Sequence, residues 1–189
     1  MTPLVLASAS PRRRQLLEML GIPVEVRPSK VPETPRPGEA PRDYALRLAT
    51  EKAQAVPGEL VLAADTIVVL GDELLEKPAD EDDAVRMLLR LQGKTHQVIT
   101  AVALRSEITV FEAVDVTEVT FRPAREAMLR AYVRTGEPMD KAGAYGIQGY
   151  GAALVERIEG DFFGVMGLPV RLVLDLLAEA GRPYAFPAS

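Results

Sequence analysis

The run from Leu60 to Leu70, Leu-Val-Leu-Ala-Ala-Asp-Thr-Ile-Val-Val-Leu, constrains the fold more than any other stretch of the chain. It is almost continuously apolar, as a buried strand is, and only Asp65 and Thr66 interrupt it. An unpaired carboxylate in such a strand costs several kcal/mol. Whatever packs around this strand must therefore set a cation, a metal or hydrogen-bond donors against Asp65. Two readings stay open: a structural salt bridge, or a catalytic or metal-binding carboxylate in a cleft.

The amino-terminal stretch Leu4-Val5-Leu6-Ala7-Ser8-Ala9-Ser10-Pro11-Arg12-Arg13-Arg14 reads as strand, tight turn and helix, with Ser10 at the cap and Pro11 at the first helical position. Leu16, Leu17, Met19 and Leu20 supply an apolar face, and Gly21 is the stop. Arg12, Arg13 and Arg14 crowd the first turn, where free N–H groups and the helix dipole are already positive. An anion relieves that conflict: hydroxyls, backbone N–H groups and guanidinium forks at one helix start make a phosphate site. The alternative is three arginines pointing into water.

Ile22 to Arg27 reads as a second strand, and Pro28 to Pro41 as an arm stiffened by five prolines, with Glu33 and Glu39 its only acids. Pro41 to Val56 is a helix whose inward stripe, Tyr44, Ala45, Leu48, Ala49, Ala53 and Val56, also carries Lys52; Arg47 and Glu51 fall elsewhere on the wheel. A lysine on that stripe must snorkel, pair or serve a site. Gly71-Asp72 marks a hairpin, and Asp80 caps a helix that ends at Gly93. His96 reads as a strand-edge residue before the strand Gln97 to Leu104, with Ile108 to Phe121 as partner strand and Ala124 to Arg134 as a helix. Asp140 to Gly151 holds four glycines and two tyrosines. Its backbone could approach a ligand, its tyrosines could stack on a base, and Gln148 could meet a base edge; a plain glycine-rich turn is the alternative. Ala152 to Ile158 reads as a strand, Gly164 and Gly167 as a loop, and Leu168 to Ala180 as a last helix.

At 189 residues the chain suits one large domain or two small lobes. A net charge of -5 argues against broad nucleic-acid binding. With no cysteine and one histidine, thiolate chemistry and a histidine-rich metal site are excluded. The amino terminus lacks the features of a secretory signal, and no apolar run approaches the roughly 18 residues of a membrane span, so a cytoplasmic protein is expected.

Ser8-Ala9-Ser10-Pro11-Arg12-Arg13, Arg47-Leu48-Ala49 with Glu51-Lys52-Ala53, Ala64-Asp65-Thr66, Glu76-Lys77-Pro78, Gly93-Lys94-Thr95-His96, the stretch from Asp140 to Gly149, and Gly164-Val165-Met166-Gly167-Leu168-Pro169 follow one another over nearly the whole chain. In that order they resemble the motifs of the Maf family. The resemblance implies a single α/β domain similar to the inosine triphosphatases, a mixed twisted sheet flanked by helices with a cleft between two lobes. It also implies a cytoplasmic nucleoside triphosphate pyrophosphatase, often a homodimer, that depends on Mg²⁺ or Mn²⁺. Arg12, Thr66 and Gln148 resemble the set associated with dTTP and UTP. Where relatives often carry two neighbouring acids, this chain has Pro32-Glu33, which leaves Glu33 as the metal carboxylate alongside Asp65. The expected chemistry has the metal on Asp65 or Glu33, and water attacking the α-phosphorus with Asp65 as general base. Ser8, Arg12, Arg13, Lys52 and Lys77 then bind phosphate. The competing expectation is a nucleotide-binding regulator of septum formation that performs no turnover.

Overall fold

The computed structural model describes residues 3–187. Along them lie β1 (Leu4–Leu6), α1 (Pro11–Met19), β2 (Val24–Val26), α2 (Pro41–Ala55), β3 (Val61–Leu70), β4 (Glu73–Leu75), α3 (Glu81–Leu91), β5 (Thr95–Arg105), β6 (Val110–Phe121), α4 (Glu126–Val133), β7 (Val155–Glu159), α5 (Phe162–Met166) and α6 (Val170–Glu179). The strands make one mixed sheet in the order β2-β1-β3-β5-β6-β7, with β4 paired to β3 off that path, and helices flank it. This is the class the sequence motifs imply. No helix among the described residues is long and apolar enough to cross a membrane.

The chain divides into two compact units, and each has its own core. The first comprises the described residues through Asp65, Thr100–Asp115 and those from Gly167 onward. Here β1 pairs parallel with β2 (Leu4 opposite Val24) and with β3 (Val5 opposite Val61). Parallel neighbours cannot be joined by a hairpin, so α1 and α2 are the segments that carry the chain across. Leu16 and Leu17 of α1 are buried, as are Tyr44, Ala45, Leu48, Ala49 and Lys52 of α2, at the spacing of one broad helical face. Two expectations for α1 change. Met19 is 61% exposed, so the apolar stripe is narrower than the sequence suggests. Ser10 stands at the cap, but its side chain makes no capping bond; Ser8 Oγ accepts from the Ser10 N–H at 3.2 Å instead.

The second unit comprises Thr66–Ile99 and Val116–Met166. Gly71-Asp72 turns β3 into β4, pairing Val68 with Leu75. Asp80 caps α3 by accepting from the Asp83 N–H at 2.7 Å, and Asp83 returns the bond by accepting from Ala79 N–H at 3.0 Å. Leu88, Leu91, Phe121, Leu129 and Leu154 form the core. His96 is not an edge residue: it lies within β5, is only 2% exposed, and packs edge-on against Phe121 and Tyr145 with centroids 4.9 and 5.3 Å away. Its Nε2 is 2.8 Å from the Tyr145 hydroxyl, and its Nδ1 is buried without a partner. Burial pulls the imidazole pKa down to about 4. Tyr145 is thereby committed to this core and is not available to stack on a base, whereas Tyr150 is 70% exposed. Gly164 belongs to α5 rather than to a loop, because Asp161 Oδ1 accepts from the Phe163 and Gly164 N–H groups and starts a helical turn. Ala152 to Leu154 continue a 3₁₀ turn, so β7 begins at Val155.

Candidate active site

Asp65 sits in β3 with a side chain only 8% exposed, and the cation its burial demands is Lys52, one α-helix earlier. Lys52 Nζ lies 2.6 Å from Asp65 Oδ1 and 2.6 Å from Glu33 Oε1. One ammonium thus holds two carboxylates, the first buried and the second, at 45% exposure, open to solvent. Lys52 sits in the last turn of α2, where a cation suits the helix dipole. Arg105 closes that helix end, donating from Nε to Ala53 O at 3.0 Å, and from one terminal nitrogen to Val56 O at 2.9 Å and Gly58 O at 3.0 Å.

Glu33 comes from the proline-rich arm, and the arm is fastened by Arg47, a residue of the α2 motif to which the sequence alone assigns no role. Arg47 grips Glu39 with two parallel bonds, Nε to Oε1 at 2.6 Å and a terminal nitrogen to Oε2 at 2.7 Å, and donates to Thr34 O at 3.1 Å. Its other terminal nitrogen reaches Glu51 Oε2 at 3.2 Å, and Arg36 joins both acids, by its N–H to Glu39 Oε2 at 3.0 Å and its guanidinium to Glu51 Oε1 at 3.1 Å. The Arg47 bonds hold the Glu39 pKa down to about 2. The sequence signal was present, since Glu39 is one of only two acids on the arm and the Arg47–Glu51 pair is spaced i,i+4.

At the start of α1 the three arginines part ways. Arg14 pairs with Glu18 at 2.6 Å in solvent, which realises the solvated-face alternative for that residue. Arg13 turns inward, donating to Gly167 O at 2.8 Å and to Ser8 Oγ at 3.0 Å. Burial lowers its pKa, the charges of Asp65 and Glu33 push it back up, and Arg12 lowers it further. Ser8, Arg12, Arg13, Glu33, Lys52 and Asp65 therefore belong to one electrostatic neighbourhood within the first unit. Thr66, Lys77 and Gln148 belong to the second unit, where Lys77 and Gln148 are exposed and Thr66 is half-buried.

Two carboxylates converging on one cation offer hard oxygen ligands. No group of three or more His, Cys, Asp or Glu side chains among the described residues comes together as a metal site. Such a donor set fits a divalent ion of the Mg²⁺ type, which uses one or two carboxylates and takes its remaining ligands from substrate phosphates and water.

The Maf-like protein family model matches residues 3–180. A dTTP/UTP pyrophosphatase of Anaeromyxobacter dehalogenans (strain 2CP-1) is 55% identical over 184 residues, 95% of each chain. Proteins of the same name from Aquifex aeolicus and Escherichia coli O6:H1 are 50% identical over 179 residues and 48% identical over 183 residues, covering 93% and 94% of this chain and 94% and 93% of theirs. With the family model spanning nearly all its length and half its residues shared with such relatives, this chain belongs to the Maf-like protein family.

Proposed function

We propose that this protein hydrolyses nucleoside triphosphates, dTTP and UTP foremost, between the α- and β-phosphorus, releasing a nucleoside monophosphate and pyrophosphate. The observation that carries the reading is the buried Asp65 carboxylate, held by a lysine that also holds Glu33, beside an arginine set by Ser8. The name carried by relatives sharing about half the sequence favours turnover over a purely regulatory role. The family resemblance extends the reading to a cytoplasmic enzyme of a kind that is often a homodimer.

Asp65 accepts the proton of the attacking water on the oxygen that Lys52 does not engage. An ammonium has three donors, so Lys52 offers a third to a phosphate oxygen while its contacts to Glu33 and Asp65 keep both carboxylates in place. Arg13, braced by Gly167 O and Ser8, faces the phosphates without having to reorganise as charge builds. The family resemblance assigns Arg12 and Lys77 to the phosphates as well, and Arg12, Thr66 and Gln148 to the choice of base. Within the first unit, Lys52, Arg12 and Arg13 against Glu33 and Asp65 leave one excess positive charge, well short of what a triphosphate brings. A divalent Mg²⁺ or Mn²⁺ on Glu33 and Asp65 would supply the missing charge and polarise the phosphate oxygens when bound.

A panel of nucleoside triphosphates, with pyrophosphate and orthophosphate measured separately, tests this. The expected product is pyrophosphate, formed fastest from dTTP and UTP. Asp65→Asn is expected to lower turnover by roughly 10² to 10⁴ with the melting temperature retained. Orthophosphate as the main product, or an active Asp65→Asn, would remove the proposal.

A further inference from the structure

Glu137 is absent from the motifs that carry the chemistry, yet it is the hub of the glycine-rich stretch. Its Oε1 accepts from the Gly151 N–H at 2.9 Å and from the Tyr132 hydroxyl at 2.9 Å, and its Oε2 accepts from the Tyr150 N–H at 2.9 Å. The Tyr132 hydroxyl in turn accepts from the Gly146 N–H at 3.1 Å. The carboxylate and the phenol therefore tie down both ends of the segment from Gly146 to Gly151, and Gln148 stands exposed at its middle. Burial pushes the Tyr132 phenol well above its ordinary range, so it remains a donor. Burial would raise the Glu137 carboxyl too, but the Gly151, Tyr150 and Tyr132 bonds outweigh it and hold it below its usual value.

The same pair explains two of the four glycines. A Cβ on Gly149, whose φ is +73°, would lie 2.5 Å from Glu137 Oε2, and one on Gly151 would collide with Gly146 O and crowd the Tyr132 hydroxyl at 2.7 Å. These glycines make room for the chain's own carboxylate and for the fold of the loop, where the sequence suggested room for a ligand.

We propose that Glu137, assisted by Tyr132, is a specificity-positioning residue: it fixes the backbone of Gly146–Gly151 so that Gln148 is presented to the nucleobase in one orientation. This rests on the reading that Gln148 meets the base. Glutamine in place of Glu137 keeps the volume but turns one acceptor into a donor that confronts a backbone N–H, so the loop loses at least one tether.

The test compares wild type, Glu137→Gln, Tyr132→Phe, Gln148→Ala and the Glu137→Gln/Gln148→Ala double variant. The readouts are kcat and KM for dTTP, UTP, CTP and dGTP, and amide exchange of Gly146, Tyr150 and Gly151 without nucleotide. The expected result is a roughly tenfold loss of discrimination in Glu137→Gln, carried by KM for dTTP and UTP more than by kcat. Faster exchange at Tyr150 and Gly151 accompanies it, with a weaker effect in the same direction for Tyr132→Phe, confined to Gly146. The double variant discriminates no worse than Gln148→Ala alone. If Gln148→Ala leaves base preference intact, the base-reading role itself fails. If Gln148→Ala abolishes preference while Glu137→Gln either keeps it or slows every substrate equally through kcat, the positioning role of Glu137 is overturned. Should Glu137→Gln not fold, Tyr132→Phe decides: unchanged preference with faster Gly146 exchange overturns the proposal.

Discussion

A lysine between two carboxylates solves at the scale of single residues the problem that an apolar strand with one acid creates. Removing Asp65 or Lys52 singly does not give equivalent proteins, because a carboxylate left alone in a strand is far costlier than an ammonium that still has Glu33 beside it. His96 answers a similar problem differently, by remaining neutral. Its folded pKa of about 4 lies below the ordinary value near 6.5, so between those two pH values the unfolded chain takes up a proton that the folded chain refuses. Stability is therefore full above about pH 6.5 and falls as the pH drops toward 4. Between pH 7 and 5 the loss is expected to be about 2 kcal/mol, read from urea unfolding curves, and His96→Gln should flatten most of it. A slope unchanged in the variant would assign the pH dependence to other groups.

At the scale of elements, the arm carrying Glu33 has no regular secondary structure from Arg27 to Ala40 apart from a turn, so its position depends on what fastens it. The fastening is Arg47 on α2, the same helix that presents Lys52 one turn further on. Arg47→Lys cannot make the paired bonds to Glu39 and reach Thr34 O as well. It is expected to lower kcat by roughly 10- to 100-fold through displacement of Glu33. In a Glu33→Gln background the same change should add little, and full additivity there would mean that Arg47 acts elsewhere. Because the Glu39 pKa is held near 2, its ionised form and hence the clamp should persist throughout the pH range of an activity assay, being lost only as the pH falls through that value.

For the molecule as a whole, Lys52 pairs with both site carboxylates, and no larger cluster of metal-ligating side chains occurs among the described residues. EDTA is accordingly expected to stop pyrophosphate release while leaving the melting temperature of the nucleotide-free protein where it was. A large fall in melting temperature would make the metal part of the fold. Asp65 and Lys52 could each be marked in the sequence for a local reason, a charge inside an apolar strand and a lysine on an inward helical stripe, whereas only the family resemblance set Glu33 apart from Glu39 on the arm. Most of the strands and helices follow from apolar spacing, from the Asp80 cap and from Pro11 at the first helical position, because those are short-range effects written into neighbouring residues. Local reading failed at Ser10 and Gly164 because a near neighbour, Ser8 or Asp161, accepts the backbone bond, and at His96 and Tyr145 because the two meet only through folding. By itself the sequence determined the main strands and helices and that Asp65 must have a counter-charge. Only the tertiary structure decided that Lys52 is shared with Glu33, that Arg47 rather than solvent holds the arm, and that Glu137 braces the loop around Gln148. Hydrogen bonds and ion pairs depend on distance in space, and residues 13 apart in one pair and 14 in another meet only when helices and strands have packed.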